Sequence, residues 1–139
     1  DYLDYSYVLN WFNEQAQKYD ITIIRYDPAK AIRLNKELEE AGFETDKVRQ
    51  GFFTLGGAMQ NFKELLLDGK VVFNEQSMFK WYLNNVHLRQ DRNDNWLPTK
   101  TSQSRKIDGF AAALDAHVSV VDMLVEPDNG GPASMYISF

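Results

Sequence analysis

Apolar positions recur along this chain with two spacings, one helical and one extended. Over residues 4–18, Tyr5, Val8, Leu9, Phe12 and Ala16 fall on one side of a helix. Residues 21–26 (Ile-Thr-Ile-Ile-Arg-Tyr) form a short, β-branched, nearly continuous apolar run. That pattern predicts a buried parallel strand. Residues 28–41 return to helical spacing, with Ala31, Leu34 and Leu38 inward and Gly42 as the stop. Residues 43–48 read as a second strand.

Residues 51–57 carry three glycines and read as a loop, followed by a helix over residues 58–68 with Phe62, Leu65 and Leu66 on its apolar side and Gly69 at its end. A short strand is predicted over residues 70–73, and a short helix over 76–84 presents Phe79 and Leu83. Residues 86–90 and 96–98 flank Asp91-Arg92-Asn93-Asp94-Asn95, a turn-rich segment that predicts a β-hairpin. Residues 99–104 are polar and irregular. A last helix carries Ile107, Phe110, Ala111, Leu114, His117, Val118 and Val121 as its stripe. Residues 127–139 read as a tail, with 135–139 docking or fraying. Helices alternating with strands define an α/β chain, in which ligands gather beyond the carboxyl ends of the strands.

Composition narrows the class. The 139 residues fit one domain, and 44% hydrophobic with 25% charged is a globular balance. Nine Phe, seven Tyr and three Trp supply core bulk. No apolar run is long enough to span a bilayer. The absence of cysteine excludes disulfide scaffolds, Cys-ligated zinc, iron–sulfur clusters and thiol nucleophiles. Two histidines are too few for a His-rich metal site. No signal peptide is legible at the start. A chain opening on Asp1 without Met is expected to be part of a longer protein. The formal net charge of −5 argues against a nucleic-acid binder. Locally the balance differs: between Lys80 and Lys106, six basic residues face two acidic ones, a net +4 that leaves −9 elsewhere.

Two aspartates stand where chemistry would be placed. Asp27 sits at a strand end, before Pro28. Asp then Pro is also the ordinary start of a helix, so Asp27 is either an N-cap or a carboxylate offered to a hard cation such as Mg²⁺. One oxygen can cap while the other faces a metal. Asp108 opens the last helix, where the helix dipole alone would favour it. Gly109 follows, unfavourable for helix but permissive of close approach, and Ala111, Ala112 and Ala113 keep the next turn thin. Asp115 shares a face with Asp108 but lies seven residues on, about 10 Å along the axis, too far to share a metal with it. His117 falls on the apolar stripe and reads as a core or boundary residue. The glycines at 51, 56 and 57 form no phosphate loop, because no Gly-Lys-Ser/Thr follows.

With these residues in view, the chain resembles the C-terminal nuclease domain of the bacteriophage terminase large subunit. The resemblance is carried by Asp4-Tyr5-Ser6-Tyr7-Val8, Tyr26-Asp27-Pro28-Ala29, Leu38-Glu39-Glu40-Ala41-Gly42-Phe43 and Gln50-Gly51. Further on it is carried by Trp81 with Asn85-Val86, Asp91 through Asn95, Pro98 with Lys100, and Arg105-Lys106-Ile107-Asp108-Gly109. No single piece is specific; the ordered set is.

The resemblance implies an RNase H-like layered α/β fold and a metal-dependent endonuclease that cuts double-stranded viral DNA by two-metal hydrolysis, using Mg²⁺ or Mn²⁺. It matches Asp27 and Asp108 to two acidic metal ligands. The third lies on the family's first sheet strand, upstream of the segment matching Asp4, so residues 1–126 are expected to be a partial domain lacking the first strands. Such a chain is expected to be weakly active or inactive, and to self-associate through the open edge of residues 21–26. Lys100, Arg105, Lys106, Arg89 and Arg92 are the expected DNA contacts; as ordinary surface charges they would form a solvated hairpin instead. The family implies an ATPase domain that uses ATP elsewhere on the protein, portal protein and small terminase subunit as partners, no membrane, and the cytoplasm of an infected bacterium. Asp115 occupies a position usually apolar in the family. The competing readings are a non-catalytic α/β interaction module, with both aspartates as caps, and another RNase H-like nuclease such as a resolvase.

Overall fold

The computed structural model describes residues 4–125; the predicted tail at 127–139 lies outside the described residues. Five helices and four strands follow in the order α1 (Ser6–Ala16), β1 (Ile24–Tyr26), α2 (Pro28–Glu40), β2 (Thr45–Lys47), α3 (Phe52–Leu67), α4 (Ser77–Asn85), β3 (Val86–Gln90), β4 (Trp96–Lys100) and α5 (Asp108–Val125). β1 and β2 pair in parallel, with Arg25 opposite Asp46. β3 and β4 form an antiparallel hairpin, with Leu88 opposite Pro98.

The turn from β1 into α2 shows why Asp-Pro was chosen there. Asp27 has extended backbone angles and its Oδ1 accepts the Ala29 amide at 2.9 Å, while Pro28 occupies the first helical position. The helix ends as expected at Gly42, whose φ of +93° any other residue would adopt only with strain. The Gly42 and Phe43 amides then bond back to the Glu39 and Leu38 carbonyls.

The core lies between α3, α5 and the hairpin. Val48, Leu55, Ala58, Met59, Phe62, Phe110, Leu114 and Val118 form one buried cluster, with Tyr82, Leu88 and Trp96 packed on it. The Phe62 and Phe110 rings meet edge to face at 5.5 Å. α1 buries no residue fully and is tied in by Phe12 against Phe43, centroids 5.8 Å apart.

Several expected boundaries move. The glycine-bearing stretch 51–57 is not a loop, since α3 begins at Phe52 and carries Gly56 and Gly57 within it. At Gly56 a Cβ would lie 3.1 Å from the Asn95 side chain, so the glycine lets the hairpin turn approach the helix. Residues 70–73 form no strand. The hairpin reaches Lys100, two residues beyond the expected 98, because Thr99 and Lys100 continue the pairing with His87 and Val86. The two parallel strands shrink to three residues each. Gly109 is explained by packing: a Cβ there would fall 2.4 Å from the Tyr82 ring.

Candidate functional site

The end of β1 and the face of α5 opposite it carry the polar groups that the apolar core does not need. Arg25 sends its Nε to Ser119 Oγ at 2.7 Å and its guanidinium to Asp46 and Asp122. With its side chain only 15% exposed, this arginine locks β1 to β2 and to α5 at once. Side chains alternate across a strand, so Asp27, two residues on, leaves the same face as Arg25. Asp27 is half-buried. Its Oδ1 serves the α2 cap, and its Oδ2 takes no part in it.

Across from Asp27 lies a residue that the sequence pattern set aside. Asp115 is buried, only 7% exposed, on α5. Its Oδ1 accepts a hydrogen bond from Gln50 Nε2 at 3.1 Å. The same amide nitrogen donates to the Val48 carbonyl at 3.3 Å, and the Val48 amide bonds the Tyr26 carbonyl at 2.8 Å. A continuous path of hydrogen bonds thus joins the end of β1 to Asp115. Burial pushes the Asp115 carboxyl above its ordinary value; the Gln50 hydrogen bond opposes that shift, and the negative charge of Asp27 adds to it. The signal available in the sequence was a carboxylate between Leu114 and Val118 on an otherwise apolar face. Comparing it with Asp108 alone hid its relation to Asp27, which only the strand–helix crossing creates.

Asp108 is the exposed first residue of α5, two helical turns from Asp115. Just before it, Asn85, which is 1% exposed, pins the approach: its Nδ2 donates to the Lys106 carbonyl at 2.8 Å and its Oδ1 accepts from Arg105 Nη1 at 3.3 Å. Arg105, Lys106 and Asp108 are therefore held together at the start of α5. The other expected DNA contacts are spread along the hairpin. Lys100 ends β4 and reaches Gln103, Arg92 is exposed in the turn, and the Arg89 guanidinium lies 5.1 Å from the Phe52 ring centroid. A five-residue strand, about 17 Å, separates the base of the hairpin from its turn.

His117 is buried as expected of a core residue, bonded to Asn61 Oδ1 at 2.8 Å, and burial lowers its pKa. Among the described residues no group of three or more His, Asp or Glu side chains is close enough to hold one metal ion.

Comparison with known proteins agrees with this architecture. The model of the family "Terminase large subunit, endonuclease domain" matches residues 3–123. The terminase large subunit of Lactococcus phage SK1 is 31% identical over 104 residues, which cover 69% of this chain and 19% of that protein. The crystal structure of the HK97 bacteriophage large terminase superposes with a TM-score of 0.73 at 23% identity, over 84% of this chain and 25% of the other. The superposition shows the RNase H-like α/β fold. This chain spans about a fifth to a quarter of the length of these relatives. Matched over nearly all its described length, the chain belongs to the family of terminase large subunit endonuclease domains.

Proposed function

We propose that this chain supplies two metal-ligating carboxylates, Asp27 and Asp108, to a nuclease that cuts double-stranded phage DNA during packaging. The observation that carries this reading is the strand-end position of Asp27 in a terminase endonuclease domain, with one carboxylate oxygen left over after the cap is made. The donor set is all oxygen, which suits Mg²⁺ or Mn²⁺ and fits neither zinc nor copper. Two such ions, when bound, would activate a water and neutralise charge on the phosphodiester.

The chain's own residues do the rest. Asp27 is fixed by its cap to Ala29, so its free oxygen is preset in direction. Asp108 opens a helix whose N-terminal dipole favours an anion there, so the same end attracts a substrate phosphate. Lys106 and Arg105, pinned through Asn85, supply positive charge next to it. Lys100, Arg89 and Arg92 on the hairpin take the DNA backbone, with phosphate contacts that carry no sequence preference.

The described residues lack a third acidic ligand for that pair, so the 139-residue chain alone should cut DNA weakly or not at all. The partners of the whole protein are double-stranded DNA, an ATP-consuming motor domain, portal protein and small terminase subunit, in the cytoplasm of an infected bacterium.

Calorimetric titration with Mn²⁺ tests the proposal. Binding should be present in the wild-type chain and fall in both Asp27→Asn and Asp108→Asn. No heat at millimolar Mn²⁺ would leave both aspartates as helix-starting residues and favour a non-catalytic interaction module. Robust cleavage of plasmid by the chain alone would overturn the claim of weak activity.

A further inference from the structure

We infer that Asp115 is a ligand of the cation held by Asp27, and that Gln50 is the residue that positions it. The inference rests on the reading of Asp27 as a metal ligand and adds a carboxylate to it. Four observations carry it.

The first is register. β1 crosses α5 with Arg25 bonded to Ser119, while Ile23 and Met123 line one groove beside them. Each step of two along the strand therefore meets a step of four back along the helix. The rises agree, about 6.6 Å for two strand residues and about 6.0 Å for four helical ones. The next step places Asp27 level with Asp115.

The second is support. Gln50 is held by the backbone that extends β1, through Val48 and Tyr26, and it turns one Asp115 oxygen away from the strand end. Gln50 is a neutral donor, so it orients the carboxylate without cancelling its charge.

The third is the state of the second oxygen. Oδ2 has no hydrogen bond among the described residues, although the residue is 93% buried, and no lysine or arginine there pairs with it. A buried carboxylate facing another carboxylate without a cation is unfavourable, and a divalent ion reverses that sign.

The fourth is distance. Asp108 stands about 10 Å further along the axis, beyond the reach of a single ion whose bonds are about 2.1 Å. Asp115 is thus the α5 carboxylate level with Asp27, and Asp108 addresses a separate position.

The test compares Mn²⁺ affinity and metal-free melting temperature for the wild-type chain, Asp115→Asn, Asp27→Asn and Gln50→Ala. Asp115→Asn keeps the side-chain shape and removes only the charge. Its Kd should rise about tenfold or more while its metal-free melting temperature holds or rises, because a like-charge contact has gone; Gln50→Ala should weaken binding about tenfold through lost orientation. Titration of the ¹³C-labelled wild-type chain with Mg²⁺ needs no variant, and the Asp115 carboxyl resonance should move together with that of Asp27. Loss of binding in Asp27→Asn with wild-type affinity in Asp115→Asn, or a shift at Asp27 with none at Asp115, overturns this inference and leaves the nuclease reading intact. No Mn²⁺ binding by the wild-type chain overturns the underlying reading and the inference with it.

Discussion

Two glycines inside helices, Gly56 and Gly109, are there because a neighbour occupies the space a Cβ would need. At Gly109 that neighbour is the Tyr82 ring at 2.4 Å, which has no easy retreat because Tyr82 packs on the core. Alanine is otherwise the better helix former by about 1 kcal/mol, so propensity and packing oppose each other here. Overpacking of this kind costs about 1–3 kcal/mol, and the close ring contact places Gly109→Ala toward the upper end. Urea denaturation should show a net loss of stability for Gly109→Ala. In a Tyr82→Ala background the same substitution should become neutral or stabilising, giving a strong coupling in the double-mutant cycle. Equal losses in both backgrounds would mean that the ring is not the cause. Asp115 shows how much of the site the residue scale alone could reveal. Its charge on an apolar stripe was visible, but its partners Gln50 and Asp27 come from elements 65 and 88 positions away, and no periodicity within α5 points to them.

At the scale of elements, the helices were legible where local chemistry starts or stops them: Asp27-Pro28 opens α2, and Gly42 and Gly69, both at positive φ, follow the ends of α2 and α3. What misled was the same residue type used for another purpose, since Gly56 and Gly57 read as punctuation although the α3 backbone runs through them. The short strands were overdrawn because apolar residues such as Ile21 and Ile23 are half-buried without joining a ladder. The hairpin was legible from its turn, and its coordinates show why. Asp91 Oδ1 accepts the Asn93 and Asn95 amides at 2.8 and 2.9 Å, and its Oδ2 accepts Asn95 Nδ2 at 3.0 Å. The Asn95 side chain, ahead of the other causes, holds the Asp91 carboxyl below its ordinary value. Asn95 in turn abuts Gly56, so the turn is also braced against α3. Asp91→Ala should therefore loosen the turn, with faster amide exchange at Asn93 and Asn95, and should weaken DNA binding because Arg89 and Arg92 lose their fixed geometry. Mn²⁺ binding should not change, because the hairpin contributes no carboxylate to the site. Slow exchange retained in the variant would show that β3 and β4 hold the turn without Asp91.

The whole molecule has an asymmetry between its two halves. The hairpin half shares the main core with α3 and α5, whereas β1 and β2 stand as a pair with one strand edge each beyond the ladder. Beside the β1 edge, Thr22, Ile23, Met123 and Val125 line an open groove, and Val125 and the adjacent Leu124 are 75% and 70% exposed. An unpaired strand edge flanked by apolar side chains is a template for another strand. The ion pairs of Arg25 with Asp46 and Asp122 fix the edge in an extended shape, which removes the conformational cost of pairing. The 139-residue chain should therefore associate with itself as concentration rises. Sedimentation velocity should show a weight-average coefficient that climbs with concentration. Thr22→Lys, a charge placed on the edge in the manner natural sheets use to block pairing, should hold the chain monomeric without unfolding it. Because the association is strand-mediated and apolar, added salt should leave it unchanged or strengthen it, in contrast to DNA binding by the hairpin, which salt weakens. A single monomeric species at high concentration would show that the twist of β1 and its three-residue length protect the edge without a partner.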